Sequence, residues 1–138
     1  IVSAYNDSPF FEYYADDFLP FFQRRYAFLF DFNLELTHTI CTLLDIKPNI
    51  LRTPSFVPTA SQLASGATLP PDFAHEQGDI NTPLPDFREV IVPKNAPSDP
   101  LFSPRPYYQV FAQRHGFIPN LSIIDLLFNM GNEAPLFL

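Results

Sequence analysis

Asp7-Ser8-Pro9-Phe10-Phe11-Glu12-Tyr13-Tyr14-Ala15-Asp16-Asp17-Phe18-Leu19-Pro20-Phe21 is the stretch on which the reading of the fold turns. Phe10, Tyr14, Phe18 and Phe21 recur at three- and four-residue steps, which lays their rings along one face of a helix. Asp7 and Ser8 offer side-chain oxygens for its amino end, and Pro9 suits a first helical position. Pro20 lacks an N–H and crowds the preceding turn. A kink or break is therefore expected near Phe18–Leu19, with a second piece running towards Tyr26. The helical block is expected over 9–25.

Beyond it, Phe28, Phe30 and Phe32 alternate, which predicts a short extended stretch. Asn33 can cap a helix over 33–46 whose apolar stripe is Leu36, Ile40, Leu43 and Leu44, with Pro48 as its stop. Ile50, Arg52 and Pro54 permit an edge strand, and Phe87–Val92 a short extended segment. Pro106 can open a helix over 106–115, with Gly116 as its C-terminal stop. Asn120 or Ser122 caps a helix over 121–130, and Ser122 with Asp125 has the spacing of a capping box. That helix is apolar nearly all round from Leu121 to Phe128, so it is expected to be buried. Gly131 ends it.

Twelve of the sixteen prolines lie between Pro48 and Pro106, and twelve of the twenty-two Phe and Tyr residues fall by Phe32. The chain thus has an aromatic first block, a Pro-rich irregular middle over 55–105 and a short apolar last block. The expected fold is mainly α, a helical domain with short extended segments and a long Pro-rich irregular middle. All 138 residues are read as one domain.

Apolar residues make up 46 % of the chain and charged ones 17 %. That is too apolar for a disordered chain, and no stretch reaches the roughly 20 apolar residues of a spanning helix. The net charge of −7 lacks the basic footprint of nucleic-acid binding, so no nucleic-acid partner is expected. The single Cys41 excludes an internal disulfide. His38, His75 and His115 are far apart and show no ligand spacing, so no metal site is expected. With four glycines there is no phosphate-binding loop and no nucleophile elbow. The chain opens at Ile1 without a signal-peptide pattern.

Two segments carry the polar chemistry. Glu12 and Asp16 share a helix face, with Asp17 beside them; they read as a functional carboxylate pair or as a solvated face. Arg24 and Arg25 follow and can pair with them or bind an anion, a local salt bridge being the simpler reading. The run from Arg105 to Asn120 gathers Tyr107, Tyr108, Gln109, His115 and Asn120. These groups can converge on a small molecule, or the tyrosines can be core residues with satisfied hydroxyls.

Ser8-Pro-Phe-Phe-Glu-Tyr-Tyr-Ala-Asp-Asp, Phe30-Asp-Phe-Asn, Tyr107-Tyr-Gln-Val-Phe and Gly116-Phe-Ile-Pro-Asn-Leu-Ser-Ile-Ile-Asp-Leu-Leu-Phe-Asn-Met-Gly together resemble the WbqC-like family. Asp86-Phe-Arg and Pro93-Lys94 fit its middle section, and residues 55 to 85 match least. The resemblance implies a cytoplasmic bacterial protein of O-antigen or related surface-polysaccharide biosynthesis. It also implies a transferase that attaches glycine or a small acyl group to a sugar. It carries no established catalytic residues. The resemblance implies that family members begin with a segment that this chain lacks, so the chain is expected to be a C-terminal part; if that segment supplies strands, the whole is α+β.

Read together, residues and resemblance give Glu12 and His115 as the catalytic candidates, either serving as general base. Tyr13, Tyr14, Tyr107, Tyr108, Gln109 and Asn120 are substrate-binding candidates, as aromatic faces and hydrogen-bonding groups for a sugar. Arg88, Lys94 and Arg105 are candidates for the phosphates of an activated donor. The sequence implies no particular cofactor. The competing reading is a non-catalytic binding or assembly module that uses an exposed apolar patch.

Overall fold

The computed structural model describes residues 1–68, 86–88, 91 and 103–138. Contacts divide the chain into two units, Ile1–Pro48 with Ser103–Leu138, and Asn49–Phe102. The described residues contain helices and no strand, so the fold is mainly helical.

The first unit holds α1 (Val2–Tyr5), α2 (Phe11–Gln23), α3 (Leu29–Leu43), α5 (Ala112–His115) and α6 (Ile123–Met130), followed by a 3-10 helix over Gly131–Phe137. α2 packs against α3 and α6. The apolar period of α2 dictates the core: Phe11, Tyr14 and Phe18 meet Leu126, Leu127 and Phe128 of α6, with Leu44 and Ala134 closing the cluster. Phe128 is the hub. It is 0 % exposed and meets Tyr5, Phe11 and Phe18 edge to face, at centroid separations of 5.1, 5.3 and 5.4 Å. Burying such a ring contributes roughly 1.5–3 kcal/mol, and each edge contact adds about 0.5–1.5. A second aromatic group joins Phe21 of α2 to Phe32 of α3 and to Tyr26 between them.

Several boundaries differ from the expected ones. α2 runs without a break through Pro20 to Gln23, and the N–H of Arg24 donates to the Pro20 carbonyl at 3.0 Å. Pro20 removes one backbone donor, whose acceptor four residues back belongs to Asp16. Asp16 is exposed, so water can take that place, while buried Phe18 and Phe21 hold the same face on either side. The amino end of α2 is not capped by Asp7 or Ser8. Instead the Phe10 N–H donates to the Phe128 carbonyl at 2.9 Å, tying the entry of α2 to α6.

Phe28 is extended as the residue before the helix, but Phe30 and Phe32 are helical, so the expected extended stretch is absent. α3 starts at Leu29, four residues before Asn33, and ends at Leu43. Phe28 and Phe30 are exposed while Phe32 packs inward, so the period that counts is the helical one from Phe32 through Leu36 and Ile40. Arg24 pairs with Glu35 of α3 and lies over the Tyr26 ring, not with the carboxylates of α2.

The helix expected over 106–115 shrinks to α5, and residues 106–109 are not helical. The Gln109 amide accepts from the Ile118 N–H at 2.9 Å and donates to the Ile118 carbonyl at 2.8 Å. This two-way link holds the segment open where a helix would bury its own backbone groups. Gly116 does end α5, at φ +71°. α6 begins at Ile123 after Ser122, whose side chain makes no cap bond, so the expected capping box is absent. Asn120 stands before it at φ +57°. Gly131 ends α6 at φ +56°, where a Cβ would lie 2.7–2.8 Å from the Phe10 ring.

In the second unit, Thr59 and Gln62 form a reciprocal capping box on α4 (Ala60–Ala64), a short helix inside the stretch expected to be irregular. Residues 50–54 form no strand. The Ile91 N–H donates to the Phe87 carbonyl at 2.8 Å, a turn-like link. Residues 89, 90 and 92 of the expected Phe87–Val92 segment lie outside the described residues.

Candidate functional site

α6 carries one charged residue in a run of apolar ones. Asp125 is 8 % exposed, and Asn129 one turn later is also buried. Buried polar groups need partners. Asn129 donates to the Asp125 carbonyl at 2.8 Å and accepts from the Val110 N–H at 3.3 Å. The Asp125 Oδ2 accepts the Tyr107 hydroxyl at 2.7 Å. Three of the buried polar residues, Gln109, Asp125 and Asn129, thus sit in one network that fixes the 107–118 segment on α6.

Beside this network lies a cavity of about 120 Å³ lined by Ala4, Tyr5, Gln109, Val110, Phe111, His115, Gly116, Ile118, Leu121 and Asp125. α1 supplies Tyr5, α5 supplies His115, and α6 supplies Asp125. Its volume lies below the roughly 300–1,000 Å³ of ordinary ligand pockets. That suits a small group and not a whole drug-sized ligand. Burial pushes the Tyr107 hydroxyl up to about 12, and the Asp125 carboxylate adds to the shift by holding its proton. The Tyr5 hydroxyl is raised for the same two reasons, burial first and Asp125 second. Both phenols are therefore neutral donors at neutral pH. Chemically the cavity offers a carboxylate, one phenol (Tyr5), an amide and an imidazole among apolar walls, with the Tyr107 phenol behind the carboxylate.

The sequence candidates fall in different places. His115 and Gln109 line the cavity, and Tyr107 reaches it through Asp125. Tyr108 and Asn120 are exposed and do not line it. Glu12 and Tyr13 stand exposed on α2, also outside the lining. Tyr14 is a core residue whose hydroxyl donates to Asn132 Oδ1 at 3.2 Å. Arg105 donates to the Leu136 carbonyl at 3.2 Å.

Arg88 belongs to the second unit. Its guanidinium forks onto Asp86 and donates to the carbonyls of Val57 at 2.6 Å and Pro58 at 3.2 Å. Lys94 lies outside the described residues. Tyr5 and Asp125 were not legible as site residues. The signal for Asp125 was present: a carboxylate inside a continuously apolar helix must find a partner.

Among the described residues, no three His, Cys, Asp or Glu side chains group to hold a metal ion. Among the same residues no helix is long and apolar enough to cross a membrane. In comparisons with known proteins, the model of the WbqC-like protein family matches residues 1–71. No curated protein and no solved structure matches the chain.

Proposed function

The chain belongs to the WbqC-like protein family, and from that footing we propose that it is a transferase that passes a small acyl group, glycyl included, to a sugar in the cytoplasmic assembly of bacterial O-antigen or a related surface polysaccharide. The observation that supports this reading is the placement of His115 on the wall of a small cavity that also holds Gln109 and Asp125. The cavity volume suits the transferred group, with the sugar and the donor's remainder lying outside it.

In the proposed step, a sugar hydroxyl oxygen attacks the acyl carbonyl carbon. His115 takes the hydroxyl proton as the new C–O bond forms. The bond to the donor's leaving group then breaks, and His115 returns the proton to that group. The Tyr5 phenol and the Gln109 amide orient the acyl group, and Asp125 holds Tyr107 in place.

The test is a transfer assay with acyl and aminoacyl donors and sugar acceptors, read by mass spectrometry. His115→Gln is expected to lower kcat by about 10²- to 10⁴-fold. His115 is exposed, so its melting temperature should stay close to that of the parent. Full activity in that variant removes His115 from the mechanism.

One observation favours a second reading. Phe28, Leu29 and Phe30 are consecutive and 69, 72 and 56 % exposed, a patch suited to a binding module. If no donor raises the melting temperature, that reading takes over.

A further inference from the structure

Asp125 is buried at 8 % exposure and lines the cavity, yet among the described residues no cationic side chain lies within ion-pair distance of it. Its Oδ2 accepts from Tyr107, and the Tyr5 hydroxyl also hydrogen-bonds the carboxylate; both are neutral donors. Neutral donors satisfy lone pairs but leave the charge in place, and an ionised carboxylate has about four acceptor positions. Asp125 sits in the first turn of α6, whose amino end offers at most roughly half a positive charge. His115 lines the same cavity without pairing to Asp125. A carboxylate in apolar walls with this partial compensation is costly, and a cation entering the cavity would relieve it.

We infer that Asp125 is the anchor of a subsite for a small primary ammonium group, seated between Tyr5, Gln109 and His115. The volume of about 120 Å³ sets the size of that group at a few heavy atoms. Tyr5 and Phe111 also line the cavity, and aromatic rings can attract a cation. A quaternary ammonium is too bulky to bring its charge to the carboxylate, whereas a primary one can donate to it directly. The inference deepens the functional reading above and rests on this cavity being where the ligand sits.

The test compares two probes with the same number of heavy atoms, protonated ethanolamine and ethylene glycol, at constant ionic strength set with sodium chloride. The readout is the NMR signals of ring-labelled tyrosines. Protonated ethanolamine should shift the Tyr5 and Tyr107 rings with a Kd at least ten-fold below that of ethylene glycol. Asp125→Asn should erase that preference while keeping an acceptor for Tyr107. Should that variant not fold, the two probes on the parent protein decide the matter alone. Equal affinities, or the same shifts from sodium chloride, overturn the inference. The transfer assay separates it from the functional reading. His115-dependent transfer without ammonium preference removes the subsite and leaves the transferase. Ammonium binding at Tyr107 with no transfer from any donor does the reverse.

Discussion

Tyr107 donates its hydroxyl to Asp125 Oδ2 at 2.7 Å, across 18 positions of sequence. This bond holds a non-helical segment to a buried helix and sets one edge of the candidate site. It also makes both residues informative to substitute.

Tyr107→Phe removes a hydrogen bond to a charged acceptor and leaves Asp125 less satisfied. The expected loss is about 1.5–3 kcal/mol of stability, measured by urea unfolding. A smaller change than about half a kcal/mol would mean water replaces the phenol.

Alkaline pH should destabilise the protein through the same residue. Below pH 10 the phenol is neutral in both folded and unfolded chains. Above it the unfolded chain ionises, while the folded one keeps its proton up to about 12. Stability is therefore present below pH 10 and lost as pH rises towards 12, by at most about 2–3 kcal/mol. Tyr5 and Tyr14 are raised as well and add to the loss. Unfolding free energy against pH should fall less steeply in Tyr107→Phe than in the parent.

Phe128→Ala should be the most damaging single truncation in the first unit. It removes the ring on which Tyr5, Phe11 and Phe18 converge. A cost of about 3–5 kcal/mol is expected, with Phe128→Leu well below it. Calorimetric melting of the two variants checks the order.

Gly131→Ala combines two penalties, a left-handed backbone and a methyl group at 2.7–2.8 Å from Phe10 ring atoms. The nearest atoms include the ring's Cγ, close to the main chain, so the ring cannot simply swing its far end away. A loss of about 1–3 kcal/mol is expected. Phe10→Ala in the same chain should recover the steric part and leave the backbone part.

Arg88→Lys should loosen the second unit. A lysine cannot fork onto Asp86 and reach the Val57 and Pro58 carbonyls together. Hydrogen exchange near residues 57–62 should quicken, with the melting of the first unit unchanged.

The mainly helical fold was legible because α2 and α6 carry strong apolar patterns, and both helices lie close to where those patterns put them. The Phe28, Phe30 and Phe32 alternation misled because three alternating residues can straddle an extended cap and the first turn of a helix as readily as they can form a strand. Tyr107 and Gln109 misled for a different reason. Their partners, Asp125 and Ile118, are 18 and 9 positions away, and local propensity carries no trace of such bonds. The same distance effect hid Tyr5 from the site. His115 and Gln109, proposed from residue type together with the family resemblance, line the candidate cavity, whereas the Arg88 guanidinium is held by Asp86 and the Val57 and Pro58 carbonyls.

Tyr14 bonds to Asn132 over 118 positions of sequence. During synthesis at about 5–20 residues per second, the aromatic face of α2 therefore leaves the ribosome on the order of ten seconds before its partner. For that interval Phe11, Phe18 and Tyr14 have no α6 to cover them. The nascent chain is then a natural client for a chaperone that holds aromatic segments, and cells short of such helpers should accumulate it as aggregate.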